Sequence, residues 1–148
     1  MYHSRLHLTN GIVSAALDAL SGEPLELVLE SKKENILKNN LVFEASPLKL
    51  QLSDGRFLRP AKYMEMLNDA TLKPDIAIRQ EEKESRAIVS CPALVDMKTG
   101  ARAEIKAVWT LWLSAGEEKL HWQLTLDSGL DTMVEKAYFP YLNGIWLS

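Results

Sequence analysis

The chain has one cysteine, three histidines and no long apolar run, and each shortage removes a class of protein. With Cys91 alone, no internal disulfide can form. It follows Ala87-Ile88-Val89-Ser90, where alternate positions are small or apolar, so it reads as a buried thiol rather than a nucleophile. No stretch approaches the roughly 20 apolar residues of a membrane helix. Met1-Tyr2-His3-Ser4-Arg5-Leu6-His7 lacks the apolar centre of a signal peptide. A soluble chain compatible with the cytoplasm is the expectation, with no membrane partner. The 17 Lys and Arg are scattered among 20 Asp and Glu, for a net charge of -3. Nothing forms the basic stripe that phosphate neutralisation needs, so nucleic acid is not an expected partner.

Catalytic signatures are missing as well. There is no phosphate loop, glycine-rich dinucleotide turn, His-Glu-x-x-His or nucleophile elbow. His3 and His7 lie four apart, which on a strand spans about 13 Å, too far for one ion. Neither a metal nor a cofactor is expected.

What the sequence does contain is alternation. At 148 residues, 47% hydrophobic and 25% charged, it is long enough to bury a core. Short runs of period two are separated by tight turns, the pattern of strands and hairpins. Leu6-His7-Leu8-Thr9, Asn10-Gly11 and Ile12 to Asp18 predict a two-residue hairpin. Its register sets Thr9 against Ile12, Leu8 against Val13 and Leu6 against Ala15, with His7 and Ser14 on the other face. Asp18-Ala19-Leu20-Ser21-Gly22 and Asp96-Met97-Lys98-Thr99-Gly100 share one punctuation, an Asp that accepts backbone hydrogen bonds and a left-handed Gly. Leu25, Leu27 and Leu29 continue at period two after the first of these. Strands are also predicted over Leu41 to Glu44 and Leu48 to Leu52, and Asp54-Gly55 predicts a turn that sets Leu52 against Phe57.

Residues 60–75 read as a long loop or crossover in which Met64-Glu65-Met66-Leu67 makes at most a helical turn. Ile76 and Ile78 begin a strand, Glu81-Glu82-Lys83-Glu84 a solvated turn, and Arg86 to Cys91 the return. The longest hairpin runs from Ile105 to Leu113 and back along Leu120 to Leu126. Pairing Leu113 with Leu120 sets Leu111 against Trp122 and Trp109 against Leu124, large apolar pairs of the kind that stabilise a ladder. Both Trp109 and Trp122 are assigned to the core. Met133, Ala137 and Phe139 alternate in a final run before Pro140. About ten short strands without a sustained helical stripe predict an all-β fold, an antiparallel β-sandwich with little helix. No linker divides residues 1–148, so a single domain is expected.

The other face of that hairpin carries Trp112 beside His121 and Thr110 beside Gln123. An indole packs on the C–H face of a pyranose while polar neighbours bond its hydroxyls, so Trp112 and His121 are candidate ligand-binding residues. The bland alternative buries this face under another sheet or domain. Glycoside hydrolysis needs two carboxylates at a defined separation. Asp127, Asp131 and Glu135 cluster in sequence, but they read as a solvated rim. His121 has the chemistry of an acid or base, with no carboxylate partner visible beside it, and no catalytic residue is assigned.

Three stretches together resemble the N-terminal domains of large bacterial glycoside hydrolases. Leu8-Thr9-Asn10-Gly11-Ile12-Val13 through Leu20-Ser21-Gly22-Glu23-Pro24-Leu25 is similar to their opening, and Glu34-Asn35-Ile36-Leu37 to the segment that follows. Val134-Glu135-Lys136-Ala137-Tyr138-Phe139-Pro140-Tyr141-Leu142-Asn143-Gly144-Ile145 is similar to their closing segment. The resemblance implies a galactose-mutarotase-like supersandwich ahead of a catalytic domain. It implies a scaffold that packs on a C-terminal catalytic domain of the same chain, with carbohydrate as ligand class. Tyr141 and Asn143 would shape one edge of the substrate cleft. The His and Glu pair of mutarotases has no counterpart here. Ile145-Trp146-Leu147-Ser148 reads as a strand without a closing turn, and the expectation is an N-terminal fragment of a longer chain. Three other readings stay open: an independent carbohydrate-binding domain, an aldose epimerase-like enzyme, and a structural sandwich without sugar affinity.

Overall fold

A computed structural model of the chain describes residues 4–35 and 47–139. The predicted Leu41 to Glu44 strand, Ile36-Leu37, His3, Tyr141, Asn143 and the final strand around Trp146 lie outside the described residues. The described chain is all-β, three antiparallel sheets around one core.

The first sheet has the order β1-β2-β3-β4, from Arg5–Thr9, Val13–Asp18, Pro24–Leu29 and Glu34–Asn35. Its opening hairpin forms, but two residues wider than Asn10-Gly11 predicts. Thr9 pairs with Ser14, Leu8 with Ala15 and Leu6 with Leu17. Asn10 causes this. Its side-chain oxygen accepts from the Ile12 and Val13 amides at 3.0 and 2.8 Å. Its side-chain nitrogen donates to the carbonyls of Ser114 and Glu117 at 2.8 and 2.7 Å. A local Asx turn tied to a distant loop thus displaces the two-residue turn. Because side chains alternate with period two, a slip of two residues keeps Leu8, Val13, Ala15 and Leu17 on the buried face.

The two Asp-to-Gly turns form as expected, with matching hydrogen bonds. Asp18 Oδ1 accepts from the Leu20 and Ser21 amides, and Asp96 Oδ1 from those of Lys98 and Thr99. The Gly22 and Gly100 amides donate to the Asp18 and Asp96 carbonyls, both at 2.8 Å, with φ of +75° and +73°. Both aspartates are buried, and their carboxylates are satisfied by the turns they build.

The second sheet has the order β10-β9-β6-β5-β13, from Arg102–Ala103, Leu94–Asp96, Phe57–Arg59, Lys49–Leu52 and Val134–Tyr138. Here the sequence register is one residue out. Leu50 pairs with Leu58 and Gln51 with Phe57, while the Leu52 amide donates to the Arg56 carbonyl. Asp54-Gly55 belongs to a three-residue loop in which Gly55 takes φ +91°. The two-residue turn would have turned Leu58 outward; the longer one buries Leu50, Leu52 and Leu58 together. A bulge between Val134 and Lys136 resets the last strand, so Val134 reaches the core and Met133 is 73% exposed.

The third sheet has the order β12-β11-β8-β7, from His121–Ser128, Ile105–Ser114, Glu84–Cys91 and Asp75–Gln80. Its long hairpin has the register read from sequence, with Trp109 opposite Leu124 and Leu111 opposite Trp122. Trp109 is fully buried. Trp122 departs from expectation: it is only half-buried, because β12 is an edge strand of its sheet, and it meets Phe139 edge-on with centroids 5.7 Å apart. Between β6 and β7 the crossover contains one short helix, α1 (Tyr63–Asn68), and a 3-10 turn at Ala70–Leu72. These lie over a small satellite cluster of Ala61, Met66, Leu72, Ala93 and Val95, with Leu20 of the first Asp turn against it.

The first Asp turn also approaches β8. A Cβ on Gly22 would lie 2.7 Å from Val89 Cγ1, whereas one on Gly55 would meet nothing. Gly55→Ala is expected to cost about 1–2 kcal/mol for its positive φ. Gly22→Ala adds about 1–3 kcal/mol of overpacking. Urea midpoints at unchanged m-value measure the difference; equal losses would contradict the close approach.

Candidate functional site

Alternation along β11 sends Trp109, Leu111 and Leu113 inward, so Thr110 and Trp112 stand on the outer face. Strand register then sets one row across all four strands, Arg79 opposite Arg86, Arg86 opposite Trp112, and Trp112 opposite His121. The His121 ring stacks on the indole, with centroids 5.1 Å apart and planes at 9°. From the strand on the other side, the Arg86 guanidinium lies 5.4 Å from the indole centroid. Each end is closed by a carboxylate. Glu117 Oε2 is 2.8 Å from His121 Nε2. Glu84 Oε1 accepts from Arg86 Nη2 at 3.1 Å, and its Oε2 is an ion-pair contact 3.0 Å from Nε.

The sequence-predicted pair Trp112 and His121 is therefore brought together, both half-buried, beside Thr110 and Gln123. Glu117 supplies the carboxylate that the sequence left unassigned beside His121. Four residues apart across a hairpin turn is not a spacing that marks an ion pair, so no signal foretold it. With an imidazole and a guanidinium on its flanks, Trp112 directs an edge rather than an open face to solvent. The row offers N–H donors and apolar ring edges in a fixed arrangement. A groove of about 200 Å³ lined by Arg79, Glu81, Glu84 and Arg86 lies at its arginine end.

Other titratable groups have structural explanations. Burial pushes the Cys91 thiol up to about 12, so it stays protonated. Asp127, Asp131 and Glu135 are exposed, as a solvated rim requires. Glu65 closes the start of α1 by accepting from the Lys62 amide at 2.8 Å and pairs with Arg59 through both oxygens at 2.6 and 3.0 Å. Burial opposes its ionisation, but these hydrogen bonds prevail and hold its carboxyl below the ordinary range. Among the described residues no group of three or more His, Cys, Asp or Glu is placed to hold a metal ion.

Glu23, at the end of the first Asp turn, behaves in the opposite way. Burial raises its carboxyl above the ordinary range, opposed by Lys62, reinforced by Asp18 and opposed by Arg59. This resembles the raised acid of a carboxylate pair, but its neighbour Asp18 is occupied by two turn amides. A second surface that no sequence spacing marks lies on the five-stranded sheet, where Lys49 Nζ sits 4.7 Å from the Phe57 ring centroid and 5.6 Å from that of Tyr138. No helix among the described residues is long and apolar enough to cross a membrane. Comparison with protein-family models, curated proteins and solved structures gives no match for this chain.

Glu23 makes a prediction with a definite sign. A carboxyl whose pKa is higher folded than unfolded binds its proton more tightly in the folded state, so stability falls as pH rises from the ordinary value through the raised one. Glu23→Gln removes that penalty. The variant is expected to be more stable than the wild type at pH 7, with the gap closing below about pH 4.3, the ordinary glutamate value. Urea midpoints of both proteins across this range measure it, and a variant less stable at pH 7 would refute the desolvation account.

Proposed function

We propose that this chain is a non-catalytic β-sandwich module of a glycoside hydrolase, packing on a catalytic domain and contributing to carbohydrate binding through the Trp112 row. One observation carries the reading: an aromatic and cationic row, Arg86–Trp112–His121, fixed at both ends by carboxylates on an outward sheet face. Core packing does not require a tryptophan there, since Trp109 and the leucines of β11 point the other way. The resemblance of the Asn10-Gly11 and Ser21-Gly22 segments to glycoside hydrolase N-terminal domains supplies the ligand class. Recognition would use the indole edge and the Arg86 and His121 donors, with Thr110 and Gln123 for hydroxyls. Paired side chains lose less rotamer freedom on binding, which favours a preformed contact surface.

A second reading has its own support. Because both flanks of Trp112 are occupied, the row is also suited to meet a protein surface edge-on, as the face that docks on the catalytic domain. Intrinsic tryptophan fluorescence titrated with a panel of neutral oligosaccharides separates the two. Carbohydrate contact predicts an emission change with at least one glycan and an affinity about tenfold weaker, or about 1.4 kcal/mol, in Trp112→Ala. If no glycan binds, or if Trp112→Ala binds as the wild type does, the carbohydrate role of this row is refuted.

A further inference from the structure

We infer that the open edge of β12 is a self-association surface, on which β12 of a second copy of this chain pairs antiparallel to it. The inference goes beyond the carbohydrate reading and does not rest on it. Strand order in the third sheet leaves the far side of β12 without a strand among the described residues. Two hydrogen bonds fix which backbone groups face that side. The Gly129 amide donates to the Glu104 carbonyl just beyond the ladder's open end, and across β11 the Ala115 amide donates to the Lys83 carbonyl. Carried along the strands in steps of two, these bonds set His121, Gln123, Thr125 and Asp127 to bond β11. The amides and carbonyls of Trp122, Leu124 and Leu126 therefore point the other way, toward the open edge.

The side chains of the same three residues are incompletely covered as well. They point to the core, yet each is only half-buried, while their partners Leu111, Trp109 and Ala107 on β11 are fully buried. Other edges are blunted in ways that oppose strand addition. β7 follows Lys73-Pro74 and carries exposed Asp75 and Arg79, and β13 is bent by its bulge beside exposed Glu135 and Lys136. β12 has eight residues in unbroken register, with no proline, lysine or arginine and a single carboxylate, Asp127. What fits this edge is read from the strand itself. A two-fold axis at Leu124 sets Leu124 opposite its own copy and Trp122 opposite Leu126, so the open backbone groups meet in hydrogen-bonded pairs. On the outer face it sets Gln123 opposite Thr125 and His121 opposite Asp127, which Lys106 flanks from β11. Each cross-strand pair then joins apolar to apolar or polar to polar. A shift of two residues one way sets Trp122 opposite Ser128, and the other way leaves Leu126 and Asp127 beyond the end of the facing strand. The contact is isologous, so it closes at two copies. The two third sheets become one continuous sheet, with both Trp112 faces on the same side.

Sedimentation velocity of the whole chain across the micromolar range tests the inference, with the wild type expected to pass from monomer to dimer. Gln123→Lys/Thr125→Lys, at exposed positions, sets lysine opposite lysine and is expected to weaken the dimer about tenfold. Gln123→Lys/Thr125→Glu sets lysine opposite glutamate and is expected to keep it. Hydrogen exchange of the wild type reads the same edge without substitution, and decides if circular dichroism shows that a variant fails to fold. The Trp122, Leu124 and Leu126 amides are expected to gain protection with concentration, while those of Gln123 and Thr125 stay protected throughout. A chain that remains monomeric, or a dimer left intact in the folded double-lysine variant, overturns the inference. So does equal loss in both double variants, or assembly that grows beyond two copies. Protection of the three edge amides that does not change with concentration would mean that the edge is paired within the chain, and overturns it too.

Discussion

The fold depends on a size match between β11 and β8. Three large inward residues of β11 each have a smaller one opposite on β8: Leu113 faces Ser85, Leu111 faces Ala87 and Trp109 faces Val89. Interiors pack at the density of organic crystals, so an indole in the centre of a sheet needs a neighbour that yields space. The small β8 residues do this, and they also leave a shallow floor on which the first sheet can rest. Gly22 reaches that floor at Val89, where even one methyl group would crowd the β8 side chain. Among the described residues no acceptor reaches the Trp109 indole nitrogen. A buried donor left so costs about 1–3 kcal/mol, and the shape of the ring outweighs that loss.

Legibility of the sequence tracked the range of the interaction concerned. The Trp109–Trp122 hairpin was readable to the residue because its pairs are large and one wrong step would expose all of them. The Asp18 and Asp96 turns were readable because the whole hydrogen-bond pattern lies within five residues. The Asn10-Gly11 turn is wider than its dipeptide predicts because Asn10 is also held by the carbonyls of Ser114 and Glu117, more than a hundred residues away. The Asp54-Gly55 loop is one residue longer than its dipeptide predicts because the burial of Leu58, not the turn dipeptide, decides between a two- and a three-residue loop. At the sites, Trp112 beside His121 followed from hairpin register alone. Arg86 comes from another strand and Glu117 from a turn, and neither has a spacing rule. Lys49, Phe57 and Tyr138 come from three strands that only sheet order brings together.

Polar groups at the crossover serve the same end as the core. Both Asp turns bear on α1, the first through Leu20 and the charges around Glu23 and Lys62, the second through the close approach of Gly100 to Glu65. A helix of six residues has little stability of its own. Here an Arg59–Glu65 pair and buried Met66 add to its own few hydrogen bonds. The crossover thus acts as a brace that shields one side of the five-stranded sheet.

The buried thiol of Cys91 has a practical corollary. Thiol reagents attack the thiolate, and a group whose pKa is pushed to about 12 inside the core offers almost none at neutral pH. A cysteine introduced on either outer face would be the sole reactive one, so a dye or spin label can be attached there without removing the native residue and disturbing the packing around Ala107, its partner on β11. The protein thereby arrives already suited to distance measurements between its sheets, with labels attached in pairs.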